Sequence, residues 1–255
     1  MRIRRPNLFV LGGLLVVSLL ATAAILIVHV PTFHIRADEP AGNSRDEASS
    51  EFFLRASSFL ATFSGGKGQW TYSFTQKQFN SFFQEDFIRF GDADRFRNVG
   101  FTEPRVEFDE DRIRLAFRYG EGKWSTILSY EVKAWVSSSE PNVIVVEFLR
   151  CRAGALPAPT QQVFQELTEL AQQHNIDIDW YRHATHPVAV VHFQVDRARP
   201  TAQISSLKAS PGKLTITGVT FDPLQSPIEG LPQTPATPVS APKGPVPAVP
   251  ASKSS

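Results

Sequence analysis

From Leu8 to Val30 no residue is charged at neutral pH except, in part, His29 at the far end. An α-helix rises about 1.5 Å per residue and a bilayer's hydrocarbon core is about 30 Å thick, so about 20 apolar residues cross it. This run is long enough. Arg2, Arg4 and Arg5 precede it without an acid, and Arg36, Asp38 and Glu39 follow as a mixed set. Cationic flanks stay cytoplasmic, so the amino end is expected inside and the main domain outside, in a periplasm-like space facing the inner membrane. Ala21-Thr22-Ala23 has the small-residue spacing of a signal-peptidase site, yet Ala24–Val28 continues the apolar run past it. A secretory core is usually about 7–15 residues and gives way to polar sequence. The run therefore reads as an uncleaved, single-pass anchor over 8–30, with residues 1–7 cytoplasmic.

Downstream of the anchor and short of a proline-rich end, roughly 180 residues remain, enough for one domain with its own core. The balance of 26 basic against 25 acidic residues supplies no electrostatic footprint for nucleic acid. Cys151 is the single cysteine, which excludes an intramolecular disulfide and a cysteine-built metal site. Twenty phenylalanines against one methionine provide large, rigid apolar surfaces for a core or for the lining of a groove.

Residues 31–43 read as a polar tether, and 44–221 as the domain. Ser44-Arg45-Asp46-Glu47 has capping-box spacing, and Phe52, Ala56, Phe59, Leu60 and Phe63 follow at helical intervals up to Gly65-Gly66. Trp70, Tyr72 and Phe74 alternate with polar residues as a strand. Thr75-Gln76-Lys77-Gln78 repeats the capping logic, and Phe79, Phe82, Phe83 and Phe90 mark a second helix with an almost wholly phenylalanine edge. From Val99 the period becomes two, with Val106 and Phe108 ahead of an acidic turn. Ile113, Leu115, Phe117 and Tyr119 oppose Arg112, Arg114 and Arg118, and runs over 128–136 and 143–149 follow. The last of these is apolar on both faces and so is expected to be central. These runs predict an antiparallel meander. A third helix is expected from Thr160 to Asn175 with Val163, Phe164, Leu167 and Leu170 on one face. Strands near Ile176–Ile178, 188–195, 201–208 and 214–219 complete the domain. Prolines then recur without period from Pro223 to Pro250, so 222–255 is expected to be a disordered tail.

No constellation carries an enzyme signature. His174, His183, His186 and His192 cluster in sequence with Asp177 and Asp179, the ligand types of zinc. On one continuous strand, though, His183 and His186 point to opposite faces, and Pro187 argues against a helix. No metal site, cofactor or catalytic residue is assigned. Asp109-Glu110-Asp111 lies between alternating runs and reads as a solvated hairpin turn. Cys151 sits inside an apolar strand and reads as an inert thiol. Gly65-Gly66-Lys67-Gly68 lacks the spacing of a phosphate loop.

The order of anchor, strand and a helix beginning Phe74-Thr75-Gln76-Lys77-Gln78-Phe79-Asn80-Ser81-Phe82-Phe83 resembles bacterial tubular lipid-binding proteins. These are relatives of the bactericidal/permeability-increasing lipid carriers, whose helix starts with threonine, an acid or amide, leucine and asparagine. Arg152–Pro159 is similar to their glycine, leucine, proline turn, and the alternation around Leu207–Gly218 is similar as well. The resemblance spans about 70–219. It implies a long antiparallel sheet wrapped on a helix, with an apolar groove for acyl chains. Phenylalanine stands here where leucine is commoner, and the first helix and the tail are additions.

The expected architecture is α+β, a long antiparallel sheet packed on the amphipathic helix near Gln161–His174. The leading expectation is non-catalytic binding of membrane lipid or another apolar ligand, with groove walls from Phe79, Phe82, Phe83 and Phe164. A scaffold or adaptor in an envelope assembly, with a protein partner at the sheet edge, is the second. A metal-dependent hydrolase built on the histidines is the third.

Overall fold

A computed structural model describes residues 8–221 apart from 66, 90–93, 95–96, 99, 123–124, 159–163, 166–167, 170, 173–175 and 193–201. The chain begins with α1 (Leu8–Ile27), α2 (Thr32–Arg36) and α3 (Asn43–Gly65). Next come β1 (Gly68–Thr75), α4 (Gln76–Gln84) and α5 (Asp86–Arg89). The strands β2 (Phe101–Asp109), β3 (Arg112–Tyr119), β4 (Thr126–Val136), β5 (Val143–Ala153) and the short β6 (Leu156–Pro157) follow. After them come β7 (Asp177–His183), β8 (His186–His192), β9 (Ala202–Ser210) and β10 (Lys213–Thr220). The expected α+β class holds. The expected proline-rich tail lies outside the described residues.

The strands form two sheets. The larger runs β2-β3-β4-β5-β8-β7, with β6 on the end of β5, and every pairing is antiparallel. β5 lies in its interior, as its two apolar faces required. The smaller sheet, β1-β10-β9, brings the first and last strands of the domain together. Gly218 is needed in β10 because a side chain there would collide with the Trp70 indole and the Gln203 carbonyl. Trp70 Nε1 instead donates to Thr220 Oγ1 at 2.9 Å, across that strand pair.

One core cluster holds Val106, Phe108, Ala209 and Leu214 between β2, the small sheet and the half-buried Phe79 of α4. The other gathers Leu128, Tyr130, Val132, Phe148 and Ala189 on one face of the large sheet. Against that face lies the third expected helix, described at 164–165, 168–169 and 171–172, where Trp180 Nε1 donates to Thr168 Oγ1 at 2.8 Å.

The capping box at Thr75 and Gln78 forms as the spacing predicts. The one at Ser44 does not: α3 starts two residues earlier than that box would set it, at Asn43, with the Asp46 N–H bonded to the Gly42 carbonyl. Ser44 is thereby inside the first turn, and its hydroxyl accepts from Lys77 Nζ at 2.7 Å. The second helix also stops short. Glu85 leaves the helical region (φ −116°, ψ −82°), separating α4 from α5.

α4 is fastened to β2 by side-chain amides. The Val106 N–H donates to Asn80 Oδ1 at 2.8 Å, and Asn80 Nδ2 donates to the Val106 carbonyl at 2.9 Å. One helical turn earlier, Gln76 Oε1 accepts from the Phe108 N–H at 3.1 Å. β2 is an edge strand, so these amides stand where a neighbouring strand would pair. Pro104, two residues before Val106, has no N–H to satisfy, which suits an edge. The free edge of β9 is closed in the same way. Asn142, in the turn before β5, receives the Ile204 N–H at 2.9 Å and donates to the Ala202 carbonyl at 2.6 Å.

α1 stands clear of the domain. Its side chains from Gly13 to Thr22 are all exposed, Leu14 and Leu15 to 71%, and by length and composition it can cross a membrane. Its last carbonyls, which have no partner within the helix, are taken by the domain. The Ala155 N–H donates to the Leu26 carbonyl at 2.8 Å, and the Thr126 hydroxyl donates to that of Ile27. Gly154 (φ +59°) makes this approach possible, since a Cβ would fall on both carbonyl oxygens. Beyond it, residues 31–39 run along β2: the buried His34 Nε2 lies 3.3 Å from the Glu103 carbonyl, and Arg105 pairs with Asp38 at 2.8 Å.

Asn80 is fully buried, so Asn80→Ala strands two backbone groups of β2 away from water. A loss of about 3 kcal/mol in urea unfolding is expected. Asn80→Asp keeps the acceptor but loses the donor, and should also be destabilised.

Candidate functional site

The four phenylalanines expected to line a groove go to different places. Phe79 is locked in a ring cluster, with centroids 4.7 Å from Phe52, 5.3 Å from Phe108 and 5.8 Å from Phe74. Phe82 lies 4.6 Å from Phe52, joining α4 to α3. Phe164 is remote from both, stacked on Trp180 at 4.3 Å and edge-on to Phe148 at 4.9 Å in the other core cluster. Phe83 lines a cavity.

That cavity, about 380 Å³, lies between α4–α5 and the start of β2. Its apolar wall is Phe83, Phe87, Ile88, Phe101, Pro104 and Phe117. Its polar lining includes Arg45 and Arg105. Arg105 is 8% exposed and bonds the Pro104 carbonyl and Asp38 through its terminal nitrogens, while its buried Nε–H has no acceptor among the described residues. Arg45 repeats the pattern. Its terminal nitrogens reach Glu85, Gln84 and the Glu39 carbonyl, and its Nε is likewise buried without a partner among the described residues. Aromatic walls beside two arginines have the chemistry to take an amphipathic molecule with an acidic or carbonyl group at one end.

Sequence spacing reaches Phe83 but not the opposite wall. Phe101 and Phe117 sit on neighbouring strands, with rings 5.9 Å apart, and meet α5 only through the fold. Arg45 and Arg105 are 60 positions apart and carried no local signal.

The histidines are arranged differently from the expectation. His183 and His186 do not lie on one continuous strand; Ala184 (φ +54°) and Thr185 turn the chain between them, and they pair directly across the β7–β8 hairpin. Both therefore reach the same acid: Glu147 Oε1 is 2.9 Å from His186 Nδ1 and 3.5 Å from His183 Nδ1. The hydrogen bond from His186, aided by His183, holds the Glu147 carboxyl below its ordinary value. His192 is buried and meets Asp179 at 3.2 Å. Asp177, Asp179 and His192 offer ligand atoms within 4.8 Å of one another, the one such trio among the described residues. Its carboxylates are exposed and its imidazole Nε2 already faces Asp179, the arrangement of an ion pair as much as of a metal site. His174 lies outside the described residues. Asp109 ends β2, and Glu110 and Asp111 form the expected hairpin turn. Burial pushes the Cys151 thiol up to about 11, as an inert cysteine requires.

Compared with known protein families, curated proteins and solved structures, the chain matches none.

The Glu147 clasp gives a signed pH dependence. Because this carboxyl titrates lower in the folded chain, its stabilisation is complete above the ordinary value of 4.5 and is lost as pH falls through the lowered one. Acid titrations of stability should show a shallower fall in Glu147→Gln than in the parent chain. Parallel acid limbs for the two proteins would remove the clasp from the ledger.

Proposed function

We propose that this protein is a single-pass membrane protein whose folded domain, outside the cytoplasm, binds an anionic amphipath such as a lipid without chemically changing it. The observation that carries this reading is the cavity beside Phe83, where aromatic walls adjoin the side chains of Arg45 and Arg105. An acyl chain gains roughly 0.8 kcal/mol for each methylene buried in such a wall. A carboxylate or phosphate would satisfy the arginines with charge-assisted bonds. The likeness of the Phe74–Phe83 helix start to tubular lipid-binding proteins supports the same ligand class.

The topology is part of the proposal. Arg2, Arg4 and Arg5 favour a cytoplasmic amino end. The grip of Thr126 and Ala155 on the end of α1 supports an anchor retained with the domain, because cleavage after Ala23 would cut into the helix that the domain caps. The proposal includes an inner-membrane location with the domain in a periplasm.

Full-length protein purified in mild detergent should carry lipid visible by native mass spectrometry and organic extraction. Phe83→Asp places a charge in the aromatic wall and should lower that load at least severalfold while the circular-dichroism melt stays cooperative. An undiminished load in the folded variant would count against this cavity. A lipid-free parent chain would favour the adaptor reading instead, with a protein at a sheet edge.

A further inference from the structure

A second cavity, also about 380 Å³, lies at the foot of α1, between residues 29–36 and the polar face of the large sheet. Its charged lining comprises Arg36, Arg114, Arg150, Arg152 and Glu131, with His29 at its edge. The strand register explains the cluster. Glu107, Arg114, Glu131 and Arg150 pair in turn across β2, β3, β4 and β5, so they fall in one row on one face. Arg152, two residues beyond Arg150, pairs with Ser129 on that same face.

Most of this charge is balanced within the protein. Glu107 takes both Arg36 at 2.7 Å and Arg114 at 2.6 Å, and Asp109 adds a second contact to Arg114 at 3.3 Å. Glu131 is engaged by Arg112. The side chains of Arg150 and Arg152 make no hydrogen bond or ion pair among the described residues, and both are exposed. Two neighbouring guanidiniums are thus left free over a cavity whose one lining acid, Glu131, already has a partner.

The height of the cavity is fixed as well. Gly154 and Ala155 form part of its wall, and the Ala155 N–H holds the Leu26 carbonyl near the end of the apolar helix. If α1 crosses a membrane, the free arginines face the layer in which headgroup phosphates lie. Guanidinium forks match phosphate oxygens in pairs, which lysine does not do.

We infer that Arg150 and Arg152 bind the phosphate of an anionic lipid headgroup at the foot of the anchor, a site separate from the aromatic cavity and independent of what that cavity holds. Such a lipid would brace the domain against the bilayer beside its own anchor helix.

The test uses full-length protein in detergent, titrated with phosphatidylglycerol, phosphatidylcholine or inorganic phosphate and read by native mass spectrometry. Phosphatidylglycerol should bind about tenfold more tightly than phosphatidylcholine, weaken with added salt, and lose that preference in Arg150→Gln/Arg152→Gln. Both side chains are exposed, so the double variant should melt like the parent. In Phe83→Asp the preference should persist, which separates this site from the aromatic cavity: loss of lipid there with retention here fails neither proposal. Inorganic phosphate binding as tightly as phosphatidylglycerol, and lost in the double variant, keeps the site but assigns its anion to solution. Equal binding of the two lipids by the parent, or an unchanged preference in the folded double variant, overturns the inference.

Discussion

The structure depends on a match between a helix repeat and a strand repeat. Four residues of α-helix advance about 6 Å, and two residues of strand advance about 6.6 Å. Gln76 and Asn80, one turn apart on α4, therefore stand opposite Phe108 and Val106, the alternate residues of β2 that turn their backbone groups outward. Two side-chain amides do the work of a missing strand. They close an edge that would otherwise pair with another chain, and they fix both the rotation and the height of α4 on the sheet. The Thr75 capping box sets where that helix begins, so cap and clamp act on the same turn.

With α4 fixed, the walls of the cavity follow. Phe79 and Phe82 are turned into the ring cluster shared with α3, and Phe83 is left facing the cavity. The opposite wall comes from the start of β2 and from Phe117 of β3, so both sides of the cavity hang on one strand. The same strand receives the chain as it leaves α1, through His34 on Glu103 and Asp38 on Arg105. The apolar helix α1, capped by Thr126 and Ala155, is in this way tied, within a few residues, to the strand that forms the cavity. Such a cavity is held open by contacts outside it, which is what preorganised binding requires.

Local periodicity made most of the elements legible. Alternation located β1, β3, β4, β5 and β10, the Thr75 box located α4, and the two apolar faces of β5 gave its interior position. The division into two sheets was not legible, because β1 and β10 are joined across nearly the whole domain. The Ser44 box failed because Gly42 offers its carbonyl two residues earlier and Lys77 claims the hydroxyl. His183 and His186 were misplaced because a non-glycine turn at Ala184-Thr185 carries no proline, asparagine or glycine to announce it. In the site, Phe83 could be found from helix spacing, whereas Arg45, Arg105, Phe101 and Phe117 meet it only through tertiary structure. Phe164 belongs to a different core, and spacing alone had no means of separating the two.

Amide hydrogen exchange on the full-length protein tests the amide clamp most directly. Val106 and Phe108 should exchange as slowly as the interior strand β5, opening only when the domain unfolds. In Asn80→Ala the Val106 amide should become fast relative to β5. Rapid exchange at Val106 and Phe108 in the unmodified chain, at rates typical of a bare sheet edge, would contradict a β2 held by α4 and with it a preformed cavity.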